Sequence, residues 1–329
     1  MHPAFSVIFL TTLIGAGQGL LLALYTAESY AAVGVVASSP RSFYVAGGII
    51  SLVLLIAGLG ASFLHLGHPE RAWRSASMWR TSWLSREVIL LPLLMVLLAL
   101  YTMFHYLGWD LGIIGIDSGF DSDLTLIVGA FAVLATFALF VSTAMIYACI
   151  KFIQEWASVL TVINYTLLGS ASGFTLATAL TVFIVPEPSQ GLVKLFGFWA
   201  VVITVAALLG RVMSLYRNAR LKPRSTVQSA IGIRHGSIIQ RAQGVMGGSF
   251  NTREFFHNAP DWVFRWIRPL FLVLTFPLPI ILIITGVTSG SFAVLIIAFV
   301  VQYLGLIAER WYFFAQAKHP QNIYYQYIS

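Results

Sequence analysis

Along this chain apolar residues come in long unbroken runs, with neither the strict alternation of a strand nor the single stripe of a surface helix. Eight such runs stand at about 5–28, 43–65, 87–106, 124–148, 159–185, 191–213, 269–288 and 291–313. A helix rises 1.5 Å per residue, so each run is long enough to cross a hydrocarbon core of about 30 Å. A membrane β-barrel would instead show short segments alternating between lipid-facing and lumen-facing positions. The pattern therefore predicts an all-α, polytopic membrane protein with eight transmembrane helices and one membrane body from 1 to 329. Gly15, Gly17, Gly19, Gly169 and Gly173 inside spans predict close helix approach, and Pro277 with Pro279 predicts a kink in the seventh span. The first run lacks a basic n-region and a small-residue cleavage site, and it reads as a retained span.

Composition agrees. Of 329 residues, 58% are apolar and only 9% charged, with a mean hydropathy of +0.85. A soluble domain carries roughly 25% charged residues. The lone cysteine, Cys149, leaves no internal disulfide and no cysteine-held iron–sulfur cluster.

The distribution of charge carries more information than its sum. With eight spans, 17 of the 19 Lys and Arg fall on the side of the two termini, leaving Arg41 and Lys194 opposite. Counting acids as well, the two faces carry +11 and −4. The positive-inside rule then places both termini and the basic loops in the cytoplasm, with Asp110, Asp117, Asp121 and Asp123 outside. No nucleic-acid role follows from a positive charge spread this way. Two cytoplasmic segments exceed simple turns. The stretch 214–268 is basic, with Arg217, Arg220, Lys222, Arg224, Arg234, Arg241 and Arg253, and ends in Phe255, Phe256, Trp262, Phe264 and Trp266; it suits anionic lipid or a docked partner. The loop 66–86 interleaves Trp73, Trp79 and Trp83 with Arg71, Arg74, Arg80 and Arg86.

Ionisable groups at membrane depth are costly, so each asks for a reason. Gln18, Asn164 and Gln302 read as hydrogen-bond links between helices, and Glu309 with Arg310 as a pair anchoring a helix end. His65, closing the second span, and Glu87, opening the third, are expected to face each other across a crevice at the cytoplasmic side. An imidazole and a carboxyl at the lipid boundary suit quinone reduction, which takes two electrons and two protons and needs donors reached from water. No flavin, nicotinamide or thiolate-metal motif supplies the electrons, so a partner must. Bis-histidine haem is disfavoured, because His65 and His105 belong to opposite faces and His2, His68, His235, His257 and His319 fall in termini or loops. No haem and no metal site are expected in this chain.

Several stretches resemble a known family. MHPAFSVIFLTTLIGAGQG, HLGHPERAWRSASMWRTSWLSREV, FNTREFFH and GLIAERWYFFAQAKHPQNIYYQ together are similar to the membrane-anchor subunits of molybdopterin oxidoreductases of the dimethyl-sulfoxide-reductase type. The resemblance implies an eight-helix anchor for a molybdopterin catalytic subunit and a four-cluster ferredoxin-like iron–sulfur subunit, exchanging electrons with ubiquinone or menaquinone. It implies quinone-site roles for His65 and Glu87; beside them Arg71, Arg74 and Arg86 are expected to hold the partner or a ring oxygen, and Trp79 and Trp83 to wall the pocket. Soluble subunits on the cytoplasmic side of a bacterial inner membrane, together with the ERWYFFA…HPQN tail, look more like the sulfite-oxidising branch. Rival readings are a quinol-oxidising reductase anchor, a purely structural anchor, and a secondary transporter, which would want midplane polar groups and inverted repeats.

Overall fold

The computed structural model describes residues 5–109, 123–185, 190–222, 224, 226–236 and 261–317. Among the described residues, eight helical spans are long and apolar enough to cross a membrane. They are α1 (Phe5–Ala32), α2 (Arg41–Phe63), α3 (Trp83–Leu107), α4 (Asp123–Ala148), α5 (Val159–Ile184), α6 (Gln190–Ala219), the pair α8 (Asp261–Thr275) and α9 (Pro277–Ser289), and α10 (Phe292–Ala315). A five-residue helix, α7 (Val227–Ile231), follows α6, and the loop after α2 folds as a 3₁₀ helix, Pro69–Met78. The spans run up and down, so the 3₁₀ helix, the start of α3 and the end of α10 share one end of the bundle, called here the loop end.

The expected count of eight is met, and the boundaries shift for local reasons. α2 stops at Phe63, which leaves His65 beyond the helix. α3 begins four residues before Glu87 because Ser82 caps it, its hydroxyl accepting from the Ser85 N–H at 3.3 Å; the cap draws Trp83 into the first turn. Gly108, at φ +66°, closes the other end of α3 in the left-handed conformation that glycine adopts without strain.

α1 and α5 lie at the centre, packed on each other, with α2 and α4 beside α1 and α6 beside α5. Their crossing explains the glycines. A Cβ on Gly19 would collide with the Gly169 carbonyl and the Ser170 Cα, and one on Gly173 with the Gly19 backbone. Lipid offers no hydrophobic drive between helices, so backbone proximity of this kind supplies the dispersion contact. On the α2 side the Ser51 hydroxyl donates to the Gly17 carbonyl at 2.7 Å.

The proline pair does break the seventh span. Phe276 lies between α8 and α9 at φ −119°, ψ −80°. The Thr275 carbonyl beside the break accepts from Gln302 Nε2 at 3.4 Å, and the same amide also donates to the Thr204 hydroxyl at 3.1 Å. Gln18 Nε2 donates to the Thr136 carbonyl at 3.0 Å, and Asn164 Nδ2 to the Gly210 carbonyl at 3.4 Å. All three amides thus link helices, as their positions implied. Residues 237–260 of the 214–268 segment lie outside the described residues, including Arg241, Arg253, His257, Phe255 and Phe256, as do Asp110, Asp117, Asp121 and the tail from Lys318.

Two glycines separate packing from propensity. Gly19→Ala should cost about 1–3 kcal/mol by overpacking the α1–α5 crossing, whereas Gly60→Ala, with nothing within 4 Å of its Cβ position, should be neutral or stabilising. Unfolding of the two variants in mild detergent compares them directly.

Candidate functional site

Glu87 sits one turn inside α3 and turns toward the bundle. Its Oε1 accepts from the Thr143 hydroxyl of α4 at 2.6 Å. Behind it is a cavity of about 20 Å³ lined by Glu87, Thr143, Gln18, Ser172, Tyr165 and Arg310, which holds about one water molecule. The carboxyl group is therefore placed between the loop end of the bundle and a small polar interior.

That interior is charged. Arg211 of α6 and Glu309 of α10 are each only 1% exposed, with Arg211 Nε 2.8 Å from Glu309 Oε1. Arg310, also buried, sits with its guanidinium 3.7 Å from the Tyr165 ring centroid and its Nε 3.8 Å from Glu309 Oε2. Adjacent in sequence, Glu309 and Arg310 point to different helices: one meets α6, the other α5. Two arginines here meet one glutamate, and Glu87 lines the same cavity as Arg310. Around it an aromatic cluster of Tyr147, Trp156, Tyr165, Phe313 and Phe314 closes the loop end, and the Trp156 indole N–H donates to the Phe313 carbonyl at 3.0 Å.

The sequence-predicted residues divide into two groups. His65 is exposed in the turn after α2 and is not part of the Glu87 cavity. The expected face-to-face His65–Glu87 pair is thus resolved into an outer imidazole and an inner carboxyl, because α2 ends early and Ser82 starts α3 early. Partial desolvation lowers the His65 pKa below the ordinary histidine value, which favours a neutral ring at pH 7. Arg86 braces the loop, donating to the carbonyls of Trp79 at 3.0 Å and Arg80 at 2.8 Å while its guanidinium stacks 4.1 Å from the Trp83 ring. The Ser85 hydroxyl donates to the Ser75 carbonyl and ties the 3₁₀ helix to α3. Arg71 lies 3.7 Å from Glu70, and Arg74 lies over Trp73. Trp73, Met78 and Trp79 are all more than half exposed, an apolar and cationic surface rimming the loop end.

A second polar cluster, which the sequence reading missed, occupies the opposite end. Glu28, 4% exposed, accepts from the Tyr101 hydroxyl at 2.7 Å and from the Thr125 hydroxyl, and its Oε1 lies 3.3 Å from His105 Nε2. His105 stacks on Tyr44 with centroids 4.4 Å apart. Glu28 ends the first apolar run and His105 lies one residue from the end of the third, where each reads singly as an interfacial residue; 77 positions apart, nothing along the chain pairs them. Arg211, Tyr165 and Thr143 went unnoticed for the same reason.

An eight-span bundle, a cation-and-indole loop at one end and an acid just beneath it are what a membrane anchor would present. Residues 1–315 match the family described as DMSO reductase anchor subunit (DmsC). The chain belongs to that family. Over all 329 residues, covering the whole of both chains, it is 53% identical to a sulfite dehydrogenase subunit of Allochromatium vinosum. As a DmsC-family anchor, it holds the HLG loop and the Glu87 carboxyl on the same end of the membrane body.

The buried charges predict a stability pattern. Arg211→Met should cost about 3–5 kcal/mol by stranding Glu309, and Arg211→Met with Glu309→Gln should recover part of that loss. Denaturation of the purified chain in detergent would show it, and equal stabilities for the single and double variants would rule out the pairing.

Proposed function

We propose that this DmsC-family anchor reduces quinone at its loop end with electrons from an iron–sulfur subunit, within a cytoplasm-facing molybdenum complex that oxidises sulfite. The observation that carries the reading is Glu87, a carboxyl beneath the loop surface, bonded to Thr143 and backed by a one-water cavity. The full-length match and the 53% identity to a sulfite dehydrogenase subunit support the sulfite branch.

Reduction of a quinone supplies the chemistry of two electrons and two protons, and the chain's residues serve the proton half. The cavity behind Glu87 has room for a water and not for a ring. The ring therefore rests on the loop side of Glu87, against α3 and the 3₁₀ helix. There the neutral His65 imidazole and the Glu87 carboxyl are the hydrogen-bonding groups for its oxygens, and Trp79 and Trp83 supply apolar walls. Arg310 lines the same cavity as Glu87, and a water held there would give the carboxyl a route for proton exchange. Arg71 and Arg74, exposed, suit the surface of an iron–sulfur partner; Arg86, committed to two loop carbonyls and the Trp83 face, keeps that surface in shape. The bias of 17 of the 19 Lys and Arg toward this side supports a cytoplasmic orientation.

Glu87→Gln should lower quinone-linked turnover of the assembled complex by about 10²-fold or more, the usual scale of a lost proton-transfer group, and His65→Ala should do the same; dye-linked activity of the soluble subunits should persist. Full quinone-linked turnover in both variants would end the site assignment. Tyr165→Phe, which keeps the ring under Arg310 and removes only the hydroxyl, should give a smaller loss. For orientation, a reporter fused after Ser329 should read cytoplasmic. A periplasmic reading would favour a quinol-oxidising reductase anchor instead.

A further inference from the structure

At the end of the bundle away from the loop, a cavity of about 320 Å³ lies among the ends of α1, α2, α3 and α4. It falls in the size range of small-ligand sites. Its lining separates charge by sign. Glu28 lies at its buried side beside His105 and Thr125, while Ser38, Ser39 and Arg41 stand around the start of α2; Tyr44, Phe104 and Trp109 supply aromatic walls.

Each pole has a chemical preference. The Glu28 carboxylate receives neutral hydroxyls from Tyr101 and Thr125, and its nearest basic neighbour is the His105 ring. Among the described residues no Lys or Arg forms an ion pair with it. A carboxylate held in this way under a membrane surface favours a cation bearing N–H donors. At the other pole the N-cap of α2 is Pro40, which has no side chain to accept from the first-turn N–H groups. An uncapped N-terminus of a 23-residue helix, with a guanidinium and two serine hydroxyls around it, is a cradle for a phosphate oxygen. The Arg41 guanidinium leans over Gly108, where any Cβ would collide with it, and so is held at the cavity rim. The aromatic walls sit at helix ends, the level where indole and phenol rings meet headgroups.

We infer that this cavity is a binding site for a phosphoethanolamine headgroup, with the ammonium against Glu28 and the phosphate against Arg41, Ser38, Ser39 and the start of α2. The chemistry is that of a zwitterion with ammonium hydrogens. Phosphatidylglycerol lacks the cation, and phosphatidylcholine lacks the N–H groups that Glu28 would accept. This assignment is independent of the quinone reading and concerns the opposite membrane surface.

The test returns the full-length protein to nanodiscs of phosphatidylethanolamine, phosphatidylglycerol or phosphatidylcholine and counts retained lipid by native mass spectrometry. One phosphatidylethanolamine should be retained in preference to either other lipid by about tenfold. Glu28→Gln should level phosphatidylethanolamine with phosphatidylglycerol, and Arg41→Gln should weaken retention of all three. Arg41 is exposed, so its variant carries the test even if Glu28→Gln folds poorly. Millimolar phosphoethanolamine added to the loaded protein separates the sources: displacement assigns the site to the free headgroup, and persistence assigns it to the lipid. Equal retention of the three lipids by the unaltered protein, or undiminished retention in Arg41→Gln, overturns the assignment.

Discussion

Burying a guanidinium among packed helices is tolerable only where carboxylates and ring faces take the place of water, and the loop end of this protein is arranged around that requirement. Arg211 and Glu309 satisfy each other at 2.8 Å, and Arg310 lies on the Tyr165 face. Ion pairing and ring contact thus join α5, α6 and α10 into one unit, and Glu87 of α3 shares its cavity directly under the loop.

The rest of the bundle keeps that unit rigid with little apolar drive. In lipid, helix association depends on close backbone contact and on interhelical hydrogen bonds. The Gly19–Gly169–Gly173 crossing supplies the first, and Gln18, Asn164 and Gln302 supply the second. Gln302 also meets the carbonyl beside the broken seventh span, so the helix interruption is stabilised where it would otherwise be costly. A carboxyl supported by such a frame keeps its place beneath the loop surface.

The two ends of the molecule divide their chemistry. The loop end exposes indoles and cations over a buried acid, suited to a protein partner and a hydrophobic oxidant. The far end holds a carboxylate and a cation at separate poles of one cavity, suited to a dipolar headgroup. In both places an acid and a cation line one cavity, Glu87 with Arg310 at the loop end and Glu28 with Arg41 at the far end.

Much was legible along the chain. Eight spans, their glycine contacts, the proline break, the three linking amides and the family follow from run length, residue size and motif, because these are local properties and the bilayer sets one length for every span. His65 and Glu87 came out differently from the expected pair: α2 stops two residues before His65 and Ser82 starts α3 four residues before Glu87, leaving the imidazole exposed while the carboxyl lines the interior cavity. Arg211 with Glu309, Tyr165 under Arg310, and Glu28 with His105 had no signature at all. A membrane run has no strong amphipathic stripe to say which neighbour a polar residue faces, so partners distant in sequence are chosen only when the helices pack and the low dielectric forces every buried charge to find its complement.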